Sequence, residues 1–214
     1  MSKRMLGAII VCLSLFTAPV YADSEDEVSE YARNGVYFMA VGVFAIENFG
    51  SWDLKDSYGV GARLGYRLHP YLAAEAQYEW LGGFDCKEHA RCYVAGGPSG
   101  SGIKVREYDG HVATVNAKAF LLTGRVQPYA LVGVGGGRFE VKKKERRLLP
   151  DGETVQKWNF SRYGNGLVSR YGAGVDLYGD EAWAMFTEAA YVLPRGNLRD
   201  LDYVSIEWGF LWRF

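Results

Sequence analysis

A period of two that recurs along most of the chain is the feature that most constrains its fold. In the last segment Val204, Ile206, Trp208, Phe210, Trp212 and Phe214 share one parity, and Tyr203, Ser205, Glu207, Gly209, Leu211 and Arg213 share the other. Strand side chains alternate between faces, so one face is apolar and strongly aromatic while the other is mixed. The segment before His69 repeats this, with Tyr58, Val60, Ala62, Leu64, Tyr66 and Leu68 opposite Gly59, Gly61, Arg63, Gly65 and Arg67. After a His69-Pro70 turn, Leu72, Ala74, Ala76, Tyr78 and Trp80 face one way and Ala73, Glu75, Gln77 and Glu79 the other. Two strands joined by a tight turn thus place arginines and acids on a common face.

The sign of this amphipathicity decides the class. A soluble sandwich or barrel hides its apolar face and shows charge to water, and that face seldom carries girdles of Trp and Tyr. With the mixed face inward, the Arg63/Arg67 and Glu75/Glu79 sets can pair in a lumen while the aromatic face meets lipid. Gly59, Gly61 and Gly65 would then make room for the long side chains. Five more strands are expected at about 36–46, 111–122, 128–140, 167–178 and 182–192, which makes eight. Their inward residues include Asn116 and Lys118, then Gly133, Gly135 and Gly137, then Arg170, Gly172, Gly174 and Asp176, and then Phe186 and Glu188. The expected fold is therefore all-β, an eight-stranded antiparallel up-and-down transmembrane β-barrel. Its lumen would be a packed polar core carrying Arg63, Arg67, Glu75, Glu79, Lys118, Arg170, Asp176 and Glu188.

Loop lengths orient it. Turns near 69–71, 123–127 and 179–181 are short, those near 47–57, 81–110, 141–166 and 193–202 are longer, and the two kinds alternate. Barrels of this class keep short turns in the periplasm and long loops outside, which puts both termini on the periplasmic side.

Composition agrees: 15% aromatic residues with 27 Gly and only 6 Pro suit a chain of strands and not a disordered or collagen-like one. At a formal charge of −1 there is no global field to recruit nucleic acid. Residues 1–22 read as a cleaved secretory signal, with Lys3 and Arg4 before an apolar run from Leu6 to Phe16 and small residues leading to Ala22. That run is too short for a spanning helix, which needs about 20 residues. Without Lys3 and Arg4 the exported chain keeps 22 basic against 25 acidic residues, a net −3. Residues 23–34 are expected to be an acidic solvated tail and 35–214 the barrel domain. Cys86 and Cys92 are expected to close a small local disulfide in an oxidising compartment. A metal site using His89 lacks a fourth ligand nearby, and free thiols are the other reading.

The sequence also repeats itself. Tyr58-Gly59-Val60-Gly61 returns as Tyr171-Gly172-Ala173-Gly174 and Glu75-Ala76-Gln77-Tyr78 as Glu188-Ala189-Ala190-Tyr191, both at an offset of 113. Two equivalent half-barrels would produce this, and so would similar strands using similar residues.

The Glu-Ala-x-Tyr strands, the Pro128-Tyr129-Ala130-Leu131-Val132-Gly133-Val134-Gly135 strand and the aromatic last strand resemble the small outer-membrane β-barrel family. That family includes the transmembrane domain of outer-membrane protein A and the attachment and invasion proteins. The resemblance covers about 35–214. It implies that Trp208, Phe210, Trp212 and Phe214 form the signal read by the barrel assembly machinery, and that the chain lies in the bacterial outer membrane in contact with lipopolysaccharide. Because the chain stops at Phe214, cell-wall anchoring through a following peptidoglycan-binding domain is not expected.

Chemistry is sparse. Barrel lipid A deacylases carry a His-x-Ser-Asn pattern, whereas His111-Val112-Ala113-Thr114 has Ala113 where the nucleophile belongs; an outer-leaflet lipid-modifying enzyme is thus the weakest reading, and neither enzyme activity nor a cofactor is expected. Gly96–Gly102 resembles a phosphate cradle only in composition and is expected to be a surface tip. Lys142, Lys143, Lys144, Arg146 and Arg147 form a dense basic run at the base of the third external loop. Such a run is either a solvated loop or a contact for lipopolysaccharide or a host polyanion. The expected role is structural or surface-interacting through the external loops, with a plugged lumen; a narrow small-solute channel is the alternative.

Overall fold

The computed structural model describes residues 29–47, 56–85, 93–94, 103–104, 107–142, 162–198 and 201–214. Alternation becomes pairing in ten strands: β1 (Gly35–Glu47), β2 (Ser57–His69), β3 (Leu72–Asp85), β4 (Tyr93–Val94), β5 (Ile103–Lys104), β6 (Glu107–Phe120), β7 (Val126–Lys142), β8 (Arg162–Tyr178), β9 (Trp183–Pro194) and β10 (Tyr203–Arg213). Eight of them close into one antiparallel barrel in the order β1-β10-β9-β8-β7-β6-β3-β2, while β4 and β5 pair only with each other. Closure is made by β1 on β10, from Tyr37 opposite Arg213 to Glu47 opposite Tyr203. Among the described residues no helix is long and apolar enough to cross a membrane.

The facing follows the predicted parity. Leu64, Tyr66, Tyr78, Trp80, Val115, Val132, Val134, Tyr171, Trp208, Phe210 and Trp212 are exposed on the outside, whereas Arg63, Glu75, Glu79, Lys118, Arg170 and Asp176 are buried within. An apolar exterior around a charged interior is the reverse of a soluble barrel and is the arrangement that lipid selects.

At the long-loop end several strands run further than expected. β3 runs on to Asp85, β6 begins at Glu107, and β7 and β8 reach Lys142 and Arg162, so the second and third long loops are shorter than their sequence suggests. The reason is visible in the register. Gly137 faces Gly166 and Phe139 faces Gly164, so the backbone ladder continues where glycines erase the side-chain alternation. A register shift between Leu81 and Phe84 hides the continuation of β3 in the same way. The short turn expected at 123–127 occupies 121–125, because Val126 and Gln127 already pair with Leu177 and Asp176. In the turn after β8, the Asp180 Oδ1 accepts from Ala182 N at 2.7 Å and Trp183 N at 3.0 Å, the local bonding that makes Asp a turn residue.

Both ends of the lumen are covered. At the short-turn end Glu30–Ala32 forms a 3-10 turn, with Ala32 fully buried. The expected solvated tail therefore ends earlier than residue 34: up to residue 28 it lies outside the described residues, and beyond that the chain packs on the barrel, because buried donors there take its carbonyls. At the long-loop end a second 3-10 turn, Gly196–Leu198, inserts Leu198 until it is 3% exposed. A Cβ on Gly164 would collide with Leu198, and one on Gly166 would collide with the Arg195 carbonyl and crowd Leu198, so these glycines form its seat. Gly196, at φ +71°, allows the chain to fold back over the lumen.

An arginine on the lipid face should be costly in proportion to its depth. Val132→Arg, near the middle of β7, is expected to cost about 2–4 kcal/mol, against about 0–1 kcal/mol for Leu121→Arg in the turn just after β6. Urea titration of the two variants refolded into lipid vesicles measures the difference.

Candidate functional site

The lumen is layered along its axis. Towards the long loops it is apolar: Val43, Leu81, Val112, Phe139, Val168, Val192 and Leu198 are all buried. Beneath them lies a fully buried charged layer held by two arginines. Arg63 places both terminal nitrogens on Glu188, Nη1 on Oε2 at 2.8 Å and Nη2 on Oε1 at 2.8 Å. It also reaches Glu75 Oε2 at 3.2 Å and Glu207. Arg170 donates to Glu188 Oε1 at 2.8 Å and to both Glu79 and Glu207. Glu75 and Glu188, the two copies of the repeated Glu-Ala-x-Tyr sequence, thus come from opposite walls to one guanidinium. The repeat places its second and third barrel strands diametrically across from its sixth and seventh.

Neutral groups complete the layer. Asn116 Nδ2 donates to Gln77 Oε1 at 2.8 Å, and Gln77 Nε2 donates to Glu79 and, at 3.2 Å, to Glu207. Tyr37 donates to Glu75 at 2.7 Å, Tyr129 to Glu188 at 2.9 Å and Ser205 to Glu207 at 3.0 Å. Lower down, Lys118 Nζ donates to Asp176 Oδ2 at 2.9 Å, lies 3.5 Å from Glu75 Oε1, and sits 3.6 Å over the Tyr129 ring. Buried charges are tolerated in this way only when each is paired and hydrogen-bonded.

Seven of the eight lumen charges named from the sequence join this layer. Arg67 does not: it donates to Gln127 Oε1 at 2.7 Å and to the carbonyls of Tyr31 and Pro70, and its guanidinium lies 4.0 Å over Phe120. It sits at the bottom of β2, below the reach of Glu75 and Glu79. Glu207 was missed as a charge of the network although its parity placed it inward, and Gln77, Tyr37 and Tyr129 were missed as partners. The space above Gly65 is filled by the Tyr37 ring and not by an arginine, since a Cβ there would overlap that ring.

Other sequence candidates fall elsewhere. His111 is on the outside, its Nδ1 2.8 Å from the Tyr78 hydroxyl, while Thr114 is buried in the lumen. His69 ends β2 at the first short turn, where its Nδ1 accepts from Tyr71 N at 3.4 Å. Among the described residues no His, Cys, Asp and Glu group could hold a metal. Cys86, Cys92 and His89, the glycines at 96–102, Lys143, Lys144, Arg146 and Arg147 lie outside the described residues, as does the expected signal at 1–22, and Lys142 is described only as the last residue of β7. Trp208, Phe210 and Trp212 stand exposed on the lipid face of β10, and Phe214, 81% exposed, donates its backbone N–H to Val36 O at 3.0 Å.

Removing one guanidinium leaves glutamates buried without their partner. Arg170→Met is expected to destabilise the barrel by about 3–5 kcal/mol. Gly65→Ala, which pushes Tyr37 off Glu75, should cost about 1–3 kcal/mol by overpacking. Denaturant midpoints of the refolded variants against the parent chain test both values.

Comparison with known proteins places this geometry. Among solved structures, Neisserial surface protein A matches with a TM-score of 0.56 and 13% identity, over 84% of this chain and 97% of that one. The N-terminal β-barrel domain of Pseudomonas aeruginosa OprF matches with a TM-score of 0.51 and 11% identity, over 85% and 100%. Ail, the attachment invasion locus protein of Yersinia pestis, matches with a TM-score of 0.49 and 14% identity, over 85% and 97%. No curated protein matches the sequence. The family model described as the outer membrane protein beta-barrel domain matches residues 8–214. With that match over nearly the whole chain, and a closed barrel that is apolar outside and charged within, the chain belongs to the outer-membrane β-barrel domain family.

Proposed function

We propose that this outer-membrane barrel acts at its outer surface. Its long loops would contact lipopolysaccharide or another anionic extracellular surface, and the barrel itself would serve as a closed, non-enzymatic anchor. The supporting observation is the filled lumen: an apolar layer, a charged layer whose arginines and carboxylates are paired and two covering turns leave the exterior as the place for interaction. Lys142, Lys143, Lys144, Arg146 and Arg147 supply the chemistry, since cations beside outer-leaflet phosphates form charge-assisted hydrogen bonds. The Cys86–Cys92 pair would brace the neighbouring loop. Assembly through the Trp208, Phe210, Trp212 and Phe214 signal, and export through a cleaved segment at 1–22, belong to the same reading.

Replacing the five basic residues by Gln should weaken binding to lipopolysaccharide vesicles at least tenfold, given about 1 kcal/mol per basic side chain near an anionic surface, with the denaturant midpoint unchanged. Equal binding by the parent and the Gln variant would remove the proposal. The purified barrel in a planar bilayer is expected to be electrically silent, and steady openings would favour the narrow-channel reading.

A further inference from the structure

The short-turn end of the lumen holds two buried arginines whose bonded partners, among the described residues, include no carboxylate. Arg67 is 1% and Arg213 7% exposed, and the Nε of each lacks a hydrogen-bond partner. Arg67 bonds Gln127 and the Pro70 carbonyl, and Arg213 the Tyr178 hydroxyl at 2.6 Å, but Arg67 Nη1 and both terminal nitrogens of Arg213 also reach the chain that precedes β1. One oxygen, the carbonyl of Tyr31, accepts from Arg213 Nη2 at 2.9 Å, Gln127 Nε2 at 3.1 Å and Arg67 Nη1 at 3.3 Å. Arg213 Nη1 reaches the Glu30 carbonyl at 3.4 Å. Three donors from three different strands thus converge on one backbone oxygen.

The rest of the segment is fitted to the same mouth. The Tyr31 ring lies 5.8 Å from that of Tyr178, and its hydroxyl accepts from Arg125 Nε at 2.8 Å. Ala32 is fully buried. Arg33 Nη1 is 3.4 Å from Glu181 Oε2 in the turn before β9. At Gly35, φ +155° lets the chain leave this seat and enter β1. Contacts therefore reach two of the three short turns directly, and the third through Arg67, which also holds the Pro70 carbonyl.

We propose that residues 29–33 are a periplasmic stopper, a short strap seated in a cationic mouth, and that unseating it admits periplasmic water to the lower lumen as far as the Lys118–Asp176 pair. The seat is built for release. It uses backbone carbonyls, which form weaker bonds to guanidinium than carboxylates do, and it lies outside the hydrocarbon, where water can replace each bond. The apolar layer near the long loops is independent of it, so unseating opens a vestibule and not a pore. The inference does not rest on the proposed loop function and would survive its failure.

The test uses a refolded chain beginning at Asp23 that carries Cys86→Ser, Cys92→Ser and Ala73→Cys, so that its single thiol is the one introduced in β3. Ala73 points inward between Arg67 and Lys118. Two readouts are followed: tryptic cleavage after Arg33, which reports the seat, and modification of the introduced thiol by a small charged thiosulfonate, which reports water in the lower lumen. Ala32→Trp, too large for its seat, and Arg213→Met, which removes one of the three bonds to the Tyr31 carbonyl and the bond to the Glu30 carbonyl, are compared with the parent. Both reactions are expected to accelerate at least tenfold in either variant, with denaturant-resistant gel mobility showing an intact barrel. Faster cleavage with unchanged thiol modification would overturn the stopper, because the lumen would then be sealed by other residues. Rapid thiol modification in the parent chain would overturn it equally. If Ala32→Trp fails to refold, Arg213→Met alone decides.

Discussion

Hydrocarbon offers a backbone amide no hydrogen-bond partner, and the rest of this molecule depends on that constraint. An open sheet would leave two edges unpaired in lipid. The pairing of β1 with β10 removes both at once. Closing eight strands leaves a lumen about as wide as the side chains that fill it. Residues of one parity then have to satisfy lipid, and residues of the other have to satisfy only each other. That division explains why Tyr66, Trp80, Val132 and Trp208 lie outside while five carboxylates and three cations are stacked within the charged layer.

The inner set is ordered by charge as well as by size. In the central layer Arg63 and Arg170 hold four glutamates, so that level is negative. Arg67 and Arg213, below it, are held by carbonyls and a tyrosine hydroxyl, so the mouth is positive. The Lys118–Asp176 pair lies between the two and touches Glu75. Opposite excesses stacked along one axis attract through a low-dielectric interior, where such attraction is much less screened than in water. Cooperative bonding in the layer ties all eight barrel strands together, which makes the polar core a device for rigidity.

Much of this was legible before any coordinates. Parity and the position of the aromatic residues fixed which face meets lipid, and seven of the lumen charges followed. Glu207 shares its parity with Tyr203 and Leu211 and lies in the strand whose aromatic outer face dominates the pattern, so its charge was passed over. Gln77, Tyr37 and Tyr129 matter because of which neighbours the register brings to them, and register needs the partner strand as well as the local one. Arg67 faces the lumen as its parity requires, but its height on the barrel, not its face, decides its partners. Strand ends were lost where Gly137, Gly164 and Gly166 carry the ladder with no side chain to announce it. The loop chemistry stayed a matter of residue type alone.

Arg213, the penultimate residue, holds the carbonyls of Glu30 and Tyr31 from across nearly the whole length of the chain. It comes within reach of them only when β10 has paired with β1, since that pairing sets Arg213 opposite Tyr37. Residues just before the first barrel strand are thus secured by one near the end of the last strand. A barrel still waiting for its final strand would have an unlatched lower end, and latching would mark the moment at which insertion is complete. Order of assembly is in this sense written into the position of a single guanidinium.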